Sequence, residues 1–263
     1  MVPAGGGVGG HIDILLGWLY AATTEAGFAC VAQRNATQGA LNEVRLDMAR
    51  VTRQDIYELR DSMRRFCFQY GDFTLASGLK SKYYYNGKRA VLRPGVARLI
   101  GRVVFQLVEE AGAEAVGGLE IGSIPIAQSV GAASLEAGRE IPAFIVRKEA
   151  KQHGAREQVA EAAPDQGEHL LTPGRKVAIV DDVITTGGSI EKAIEVVEAL
   201  GCQVVLVVAL VERHERGSHG RPLRDQGYNF RRLFYTDEEG HLFIDEALLH
   251  GAPETAREGV LRR

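Results

Sequence analysis

Apolar positions along the chain change their period several times, and each change marks an element. Ile56, Leu59, Met63, Phe66, Cys67 and Tyr70 keep helical spacing, and Thr52 with Asp55 three residues later makes a capping box ahead of them. Pro94 to Glu110 predicts a second amphipathic helix. Val96, Leu99, Ile100, Val103, Val104, Leu107 and Val108 form its buried stripe, and Gly112 is its stop. Ile190, Ala193, Ile194, Val197 and Leu200 share one face of a third helix, ended by Gly201. Between the helices run short apolar segments near 115–119, 143–146, 176–180, 204–211 and 231–235. Val177 to Val180 is apolar throughout, as a central strand covered on both faces should be. Such alternation predicts an α/β fold with a central, mostly parallel sheet flanked by helices. Residues 74–89 read as a hairpin-like region. Residues 155–172, polar and poorly periodic with Pro164 and Gly167, read as a long mobile loop.

The 263 residues leave room for one large or two small domains. At 45% hydrophobic and 25% charged, the composition is that of a soluble globular protein. A net charge of −3 gives no general pull toward nucleic acid or anionic membranes, and neither is expected as a partner. Ile14 to Thr24 is too short an apolar stretch to span a membrane, and no Lys or Arg precedes Arg34 to make a secretion signal. Cys30, Cys67 and Cys202 stand far apart, which fits a reduced, cytoplasmic interior rather than disulfides or zinc. Residues 1–47 are an extension, glycine-rich and then weakly apolar, read as a disordered tail or an over-extended reading frame before Met48. The domain proper is expected over 48–250, with 251–263 as a frayed tail.

Candidate chemistry concentrates in Lys176–Ser189. Here a buried strand runs into Asp181, Asp182, Val183 and Ile184, then Thr185, Thr186, Gly187, Gly188 and Ser189 lead into the third helix. The second group therefore lies outside the carboxyl end of a strand and at a helix N-terminus, where open α/β sheets bind anions. Glycines let backbone N–H groups approach a phosphate, and the hydroxyls add donors. Asp181 and Asp182 would repel that phosphate, so they are expected to face ribose hydroxyls or hydrated Mg²⁺ on the same ligand. Neither a Walker A loop nor a dinucleotide G-x-G-x-x-G occurs at this position. Upstream, Arg147, Lys148, Lys151 and His153 bring four cationic or ionisable groups into seven residues before Gly154. A loop so charged suits a lid that closes over a departing pyrophosphate.

The run Val-Asp-Asp-Val-Ile-Thr-Thr-Gly-Gly-Ser resembles the phosphoribosyl pyrophosphate (PRPP) signature of type I phosphoribosyltransferases. The pattern R-K-x-x-K-x-H-G over Arg147–Gly154 is similar to the lid of the orotate phosphoribosyltransferase family. Three further segments agree: Phe73–Asn86, Gly117–Ala127 and Glu212–Gly217. The likeness covers roughly residues 52 to 235 in the family's order. It implies the type I phosphoribosyltransferase fold, with a small hood subdomain from about 52–90 and 222–250 over the sheet's carboxyl edge. The implied reaction joins orotate and PRPP, with Mg²⁺, to give orotidine 5′-monophosphate and pyrophosphate in pyrimidine synthesis.

On that resemblance Arg147, Lys148, Lys151 and His153 meet the pyrophosphate. His153 is placed either to protonate the leaving group or to act by charge alone. Arg213, Thr185, Tyr84 and Tyr85 are implied at the orotate, while Tyr83–Tyr85 reads equally as an ordinary strand alternating core and surface. A homodimer whose lid reaches the neighbouring subunit is implied as well. Some members carry lysines where Ala76 and Gly122 stand here, and the lid is longer than expected around 160–168. A purine phosphoribosyltransferase and a non-catalytic PRPP sensor remain as alternatives. With no room for a decarboxylase and no D-x-K-x-x-D motif, a bifunctional form is not expected.

Overall fold

A computed structural model of the protein describes residues 50–74, 80–149, 158–162, 167–213, 220–250 and 252. The expectations for the 1–47 extension, Cys30, Ala76 and most of the 251–263 tail lie outside them. The described residues open with α1 (Arg53–Cys67), whose Thr52 hydroxyl accepts from the Asp55 N–H while the Asp55 carboxylate accepts from the Thr52 N–H. Ile56, Leu59, Met63 and Cys67 are buried along it. The helix stops earlier than its apolar spacing suggested. Phe68 is already extended, and Tyr70 is a strand residue, 58% exposed.

That strand, β1 (Phe68–Thr74), pairs antiparallel with β2 (Lys80–Tyr85) in a separate two-stranded sheet. The hairpin therefore starts before residue 74 and ends before residue 89, because α2 (Lys88–Val91) takes over. Next come α3 (Pro94–Glu110), β3 (Ala115–Leu119), α4 (Ser123–Glu136) and β4 (Ala143–Val146). After them follow β5 (Val159–Glu161), β6 (Lys176–Ile184), α5 (Gly188–Ala199), β7 (Gln203–Glu212) and α6 (Gly220–Asp225). Finally β8 (Phe230–Thr236), β9 (Leu242–Ile244) and α7 (Glu246–Leu249) complete the fold.

The main sheet has seven strands in the order β5-β4-β3-β6-β7-β8-β9, parallel except where β5 and β9 close its two edges. Strand side chains alternate between faces, and the burial follows that rule. Ala178, Val180, Leu206, Val208 and Leu210 join the core under α1, α3 and α4. Val177, Ile179, Val207 and Ala209 join the other core, with Ile190, Ala193, Ile194 and Val197 of α5. Gly117 and Gly118 of β3 let neighbours pack close: a Cβ on either would run into the Phe144 or Val180 carbonyl.

Two expectations change. The presumed loop 155–172 contains β5, an edge strand with Val146 opposite Val159, and buries Leu170 and Leu171. A three-residue strand of intermediate burial leaves too short a periodic signal to see in sequence. The segment 222–250 is not wholly hood either, because β8 and β9 complete the main sheet. No helix among the described residues is long and apolar enough to cross a membrane.

Candidate active site

β6 does not stop at Val180 but runs on to Ile184, carrying both acids within the strand. Their side chains leave on opposite faces, yet both carboxylates turn toward one backbone point. A Cβ on Gly122 would stand 2.6 Å from an Oδ1 of Asp181 and 2.6 Å from that of Asp182. Gly87 does the same on the hood side, where a Cβ would lie 2.7 Å from Asp182 Oδ2. Bare glycine backbone is thus what lets the acids sit where they do. Lys88 Nζ stands 3.8 Å from Asp182 Oδ2, and the Tyr85 hydroxyl donates to the Asp182 carbonyl at 3.3 Å.

Both acids are buried, at 7% and 4% exposure. Burial first, then the charge of Asp182, pushes the Asp181 carboxyl up to about 7. Burial likewise raises Asp182, with Lys88 opposing it. Crowded, poorly solvated acids held above their ordinary range are what a site awaiting hydroxyl donors or a cation would show. The pair's oxygen donors suit a hydrated Mg²⁺ as well as a ribose. Elsewhere, Asp237, Glu239 and His241 cluster on the turn between β8 and β9, where His241 already pairs with Asp237 at 2.8 Å. That trio, exposed but for a half-buried Asp237, carries no metal assignment.

Thr185 and Thr186 follow the strand, and Gly187 takes a φ of +86° before α5. Only glycine adopts that backbone readily. No side chain caps α5, so the first-turn N–H groups of Gly188, Ser189 and Ile190 have no side-chain cap from Gly187. An anion fits there.

The cationic segment begins where β4 ends. The Arg147 N–H donates to the Gln158 carbonyl at 2.8 Å, joining the two roots of the loop as an extension of the β4–β5 pairing. The Lys148 N–H donates to Glu120 Oε1 at 2.9 Å, and Lys192 of α5 donates to the Lys148 carbonyl. The described ends of this segment, at Arg147–Lys148 and Gln158, are thus held together and beside α5, the helix that follows the Thr185–Gly187 turn. Arg147 and Lys148 lie at this root, whereas Lys151 and His153 fall outside the described residues.

Arg213 follows β7 on the same rim, and its N–H donates to the Ile184 carbonyl at 3.0 Å. Tyr84 and Tyr85, expected together at a ligand, point to opposite sides. Tyr84 is 42% exposed against Phe73, with ring centroids 5.9 Å apart. Tyr85 is buried, and burial raises its hydroxyl well above the usual range. Sequence reasoning overlooked Gly87, Lys88, Ser81 and Tyr83. The alternating-strand reading of Tyr83–Tyr85 is the one the burial follows, with Tyr83 and Tyr85 inside and Tyr84 outside, and Asn86-Gly87 is a turn signal.

Two shallow hollows, one of about 350 Å³ between α3 and α4 and one of about 520 Å³ beside Arg60, Arg64 and Tyr70, touch none of these groups. An acid pair and an uncapped helix start at the carboxyl rim of a doubly covered parallel sheet define an α/β protein built for an anionic sugar ligand. Residues 89–225 match the family model described as the phosphoribosyl transferase domain. The orotate phosphoribosyltransferase of Rhodopseudomonas palustris is 39% identical over 180 residues, 68% of this chain and 93% of that protein. The Mycobacterium tuberculosis orotate phosphoribosyltransferase crystallised with Fe(III) dicitrate superposes with a TM-score of 0.60 at 31% identity, over 71% of this chain and 99% of that one. The same enzyme in complex with PRPP gives a TM-score of 0.54 at 29% identity, over 68% of this chain and 94% of that one. The chain belongs to the orotate phosphoribosyltransferases of the type I phosphoribosyltransferase family.

Proposed function

We propose that the protein transfers the 5-phosphoribosyl group of PRPP to orotate, releasing pyrophosphate and forming orotidine 5′-monophosphate for pyrimidine synthesis. The carrying observation is the continuity of β6, the acid pair and the uncapped α5 start through Gly187. One extended ligand spans them: ribose hydroxyls on Asp181 and Asp182, 5-phosphate on Thr185, Thr186, Gly187, Gly188 and Ser189. Val183 and Ile184 contribute backbone along the way.

The bond from C1′ to pyrophosphate breaks with oxocarbenium character, so charge separates as the reaction proceeds. Arg147, Lys148, Lys151 and His153 take up the negative charge of the leaving group, and the buried carboxylates face the electron-poor ribose. Mg²⁺ bound with PRPP, near Asp181 and Asp182, would neutralise part of the pyrophosphate charge. Orotate is already an anion and needs no strong base. Arg213 pairs with its carboxylate, and Thr185 and the Tyr84–Tyr85 segment border its ring. Holding both substrates in register can lower the barrier by roughly 7–11 kcal/mol. The working protein is a homodimer in the cytoplasm, its lid closing over the neighbouring subunit's site.

A spectrophotometric assay of orotate loss tests this reading. Orotate should disappear only when PRPP and Mg²⁺ are both present. Consumption of hypoxanthine, guanine or adenine instead would make the protein a purine phosphoribosyltransferase, and PRPP binding without any turnover would make it a sensor.

A further inference from the structure

Arg213 is held by more than its own backbone. Its Nε donates to the Tyr83 hydroxyl at 3.2 Å, its Nη2 donates to Ser81 Oγ at 3.2 Å, and its Cζ lies 4.7 Å from the Tyr83 ring centroid. A guanidinium has no acceptor, so the Tyr83 oxygen must receive this bond. The same hydroxyl shares a hydrogen bond with Thr236 Oγ1, 3.0 Å away, in which either oxygen can donate. The Ser81 hydroxyl in turn donates to the Tyr83 carbonyl at 2.7 Å. Arg213, Tyr83 and Thr236 are 9%, 2% and 3% exposed. Gly240 presses bare backbone against the Tyr83 ring, where any side chain would collide, and Phe68 packs on it at 5.8 Å between centroids.

We infer that Tyr83, with Ser81 and Thr236, is a positioning group that sets the Arg213 guanidinium for the carboxylate of the incoming base. The inference rests on the proposed pairing of Arg213 with orotate. Its physical content is preorganisation. An arginine left in water must lose rotamer freedom when a ligand arrives, whereas this one has already lost it. The β2 strand that carries Ser81 and Tyr83 precedes the segment matched by the family model, residues 89–225. The base-selecting arginine of the transferase core is thus oriented by the hairpin ahead of it.

Tyr83→Phe keeps the ring and its packing but removes the acceptor. Loss of a hydrogen bond to a charged group predicts a rise in the orotate KM of roughly tenfold or more. The KM for PRPP and the kcat should stay within about twofold, a split that general loosening of the fold would not give. Thr236→Val, which leaves the ring untouched, should raise the orotate KM in the same selective way and carries the test should Tyr83→Phe not fold. In an Arg213→Lys background the further effect of Tyr83→Phe should vanish, because the group it positions is gone. An unchanged orotate KM in the folded Tyr83→Phe or Thr236→Val protein, with a raised one in Arg213→Lys, would overturn the positioning role alone. A parallel rise in both substrates' KM would also overturn it. An unchanged orotate KM in Arg213→Lys would instead remove the carboxylate pairing on which the inference stands.

Discussion

The residue that most clearly joins stability to function is Asp181. Burial and the neighbouring Asp182 raise its carboxyl to about 7, above its ordinary value of 3.8. A raised folded-state pKa favours the folded, ligand-free protein below pH about 4, and that contribution is lost as the pH rises through about 7. The ligand-free protein should therefore lose melting temperature between those limits. Asp181→Asn, which cannot ionise, should flatten that slope. Above pH 7 it should raise Tm by at least about 2–4 °C, the shift that 1 kcal/mol makes in a domain of this size, while damaging PRPP use. Thermal melts of both proteins across this pH range check the prediction; parallel slopes would show that burial does not strain this acid. The placement of two acids at a strand end ahead of a Thr-Thr-Gly-Gly turn was legible from sequence. Their crowding was not. It depends on Gly87 and Gly122, which lie far from β6 in sequence and meet it only through the fold. The buried thiol of Cys67, its pKa raised to about 12 chiefly by burial, belongs to this packing and not to the chemistry.

At the level of elements, long periodic segments read well and short or edge ones did not. α3 keeps the stripe that its spacing announced, from Val96 to Val108. α5 begins where the glycine pair suggested. β5 and β9, three residues each at the sheet's edges, left no such mark. The end of α1 was misplaced because Tyr70 continues a helical spacing by chance, and the pairing of Phe68 and Tyr70 with Tyr85 and Tyr83 outweighs it. In the proposed function, phosphate binding turns on the strand-to-helix joint at Gly187. Replacing Gly187 with Ala puts a Cβ into the left-handed region at a cost of about 1–2 kcal/mol. The first turn of α5 should reorient, so the KM for PRPP should rise at least about fivefold while the orotate KM stays nearly level. Steady-state kinetics of the variant measure this, and equal shifts for both substrates would argue against the turn as the phosphate seat.

On the scale of the whole molecule, the parallel sheet and its two helical layers were foreseen from the alternation of strands and helices. The division between hood and sheet was not. β8 and β9 bring the chain back beside β7 and carry Thr236 to Tyr83, so the hairpin sheet and the main sheet meet through Arg213. Sequence showed Arg213 at a strand end but not what would hold it there. The proposed reach of the lid across a dimer gives a prediction at this scale. Lys151→Ala and Asp181→Asn proteins should each be nearly inactive, and mixing them should restore activity, because exchanged dimers contain one site with both groups intact. If the mixture, after subunit exchange, is no more active than its parents, each lid serves its own subunit.

Titration calorimetry of PRPP in the presence of Mg²⁺ bears most directly on where the donor lies. The natural protein should show saturable binding, and the Asp181→Asn/Asp182→Asn double variant, still folded, should show little or none. No binding to the natural protein, or equal binding to both, would contradict a donor lying across the β6 acids and the α5 turn.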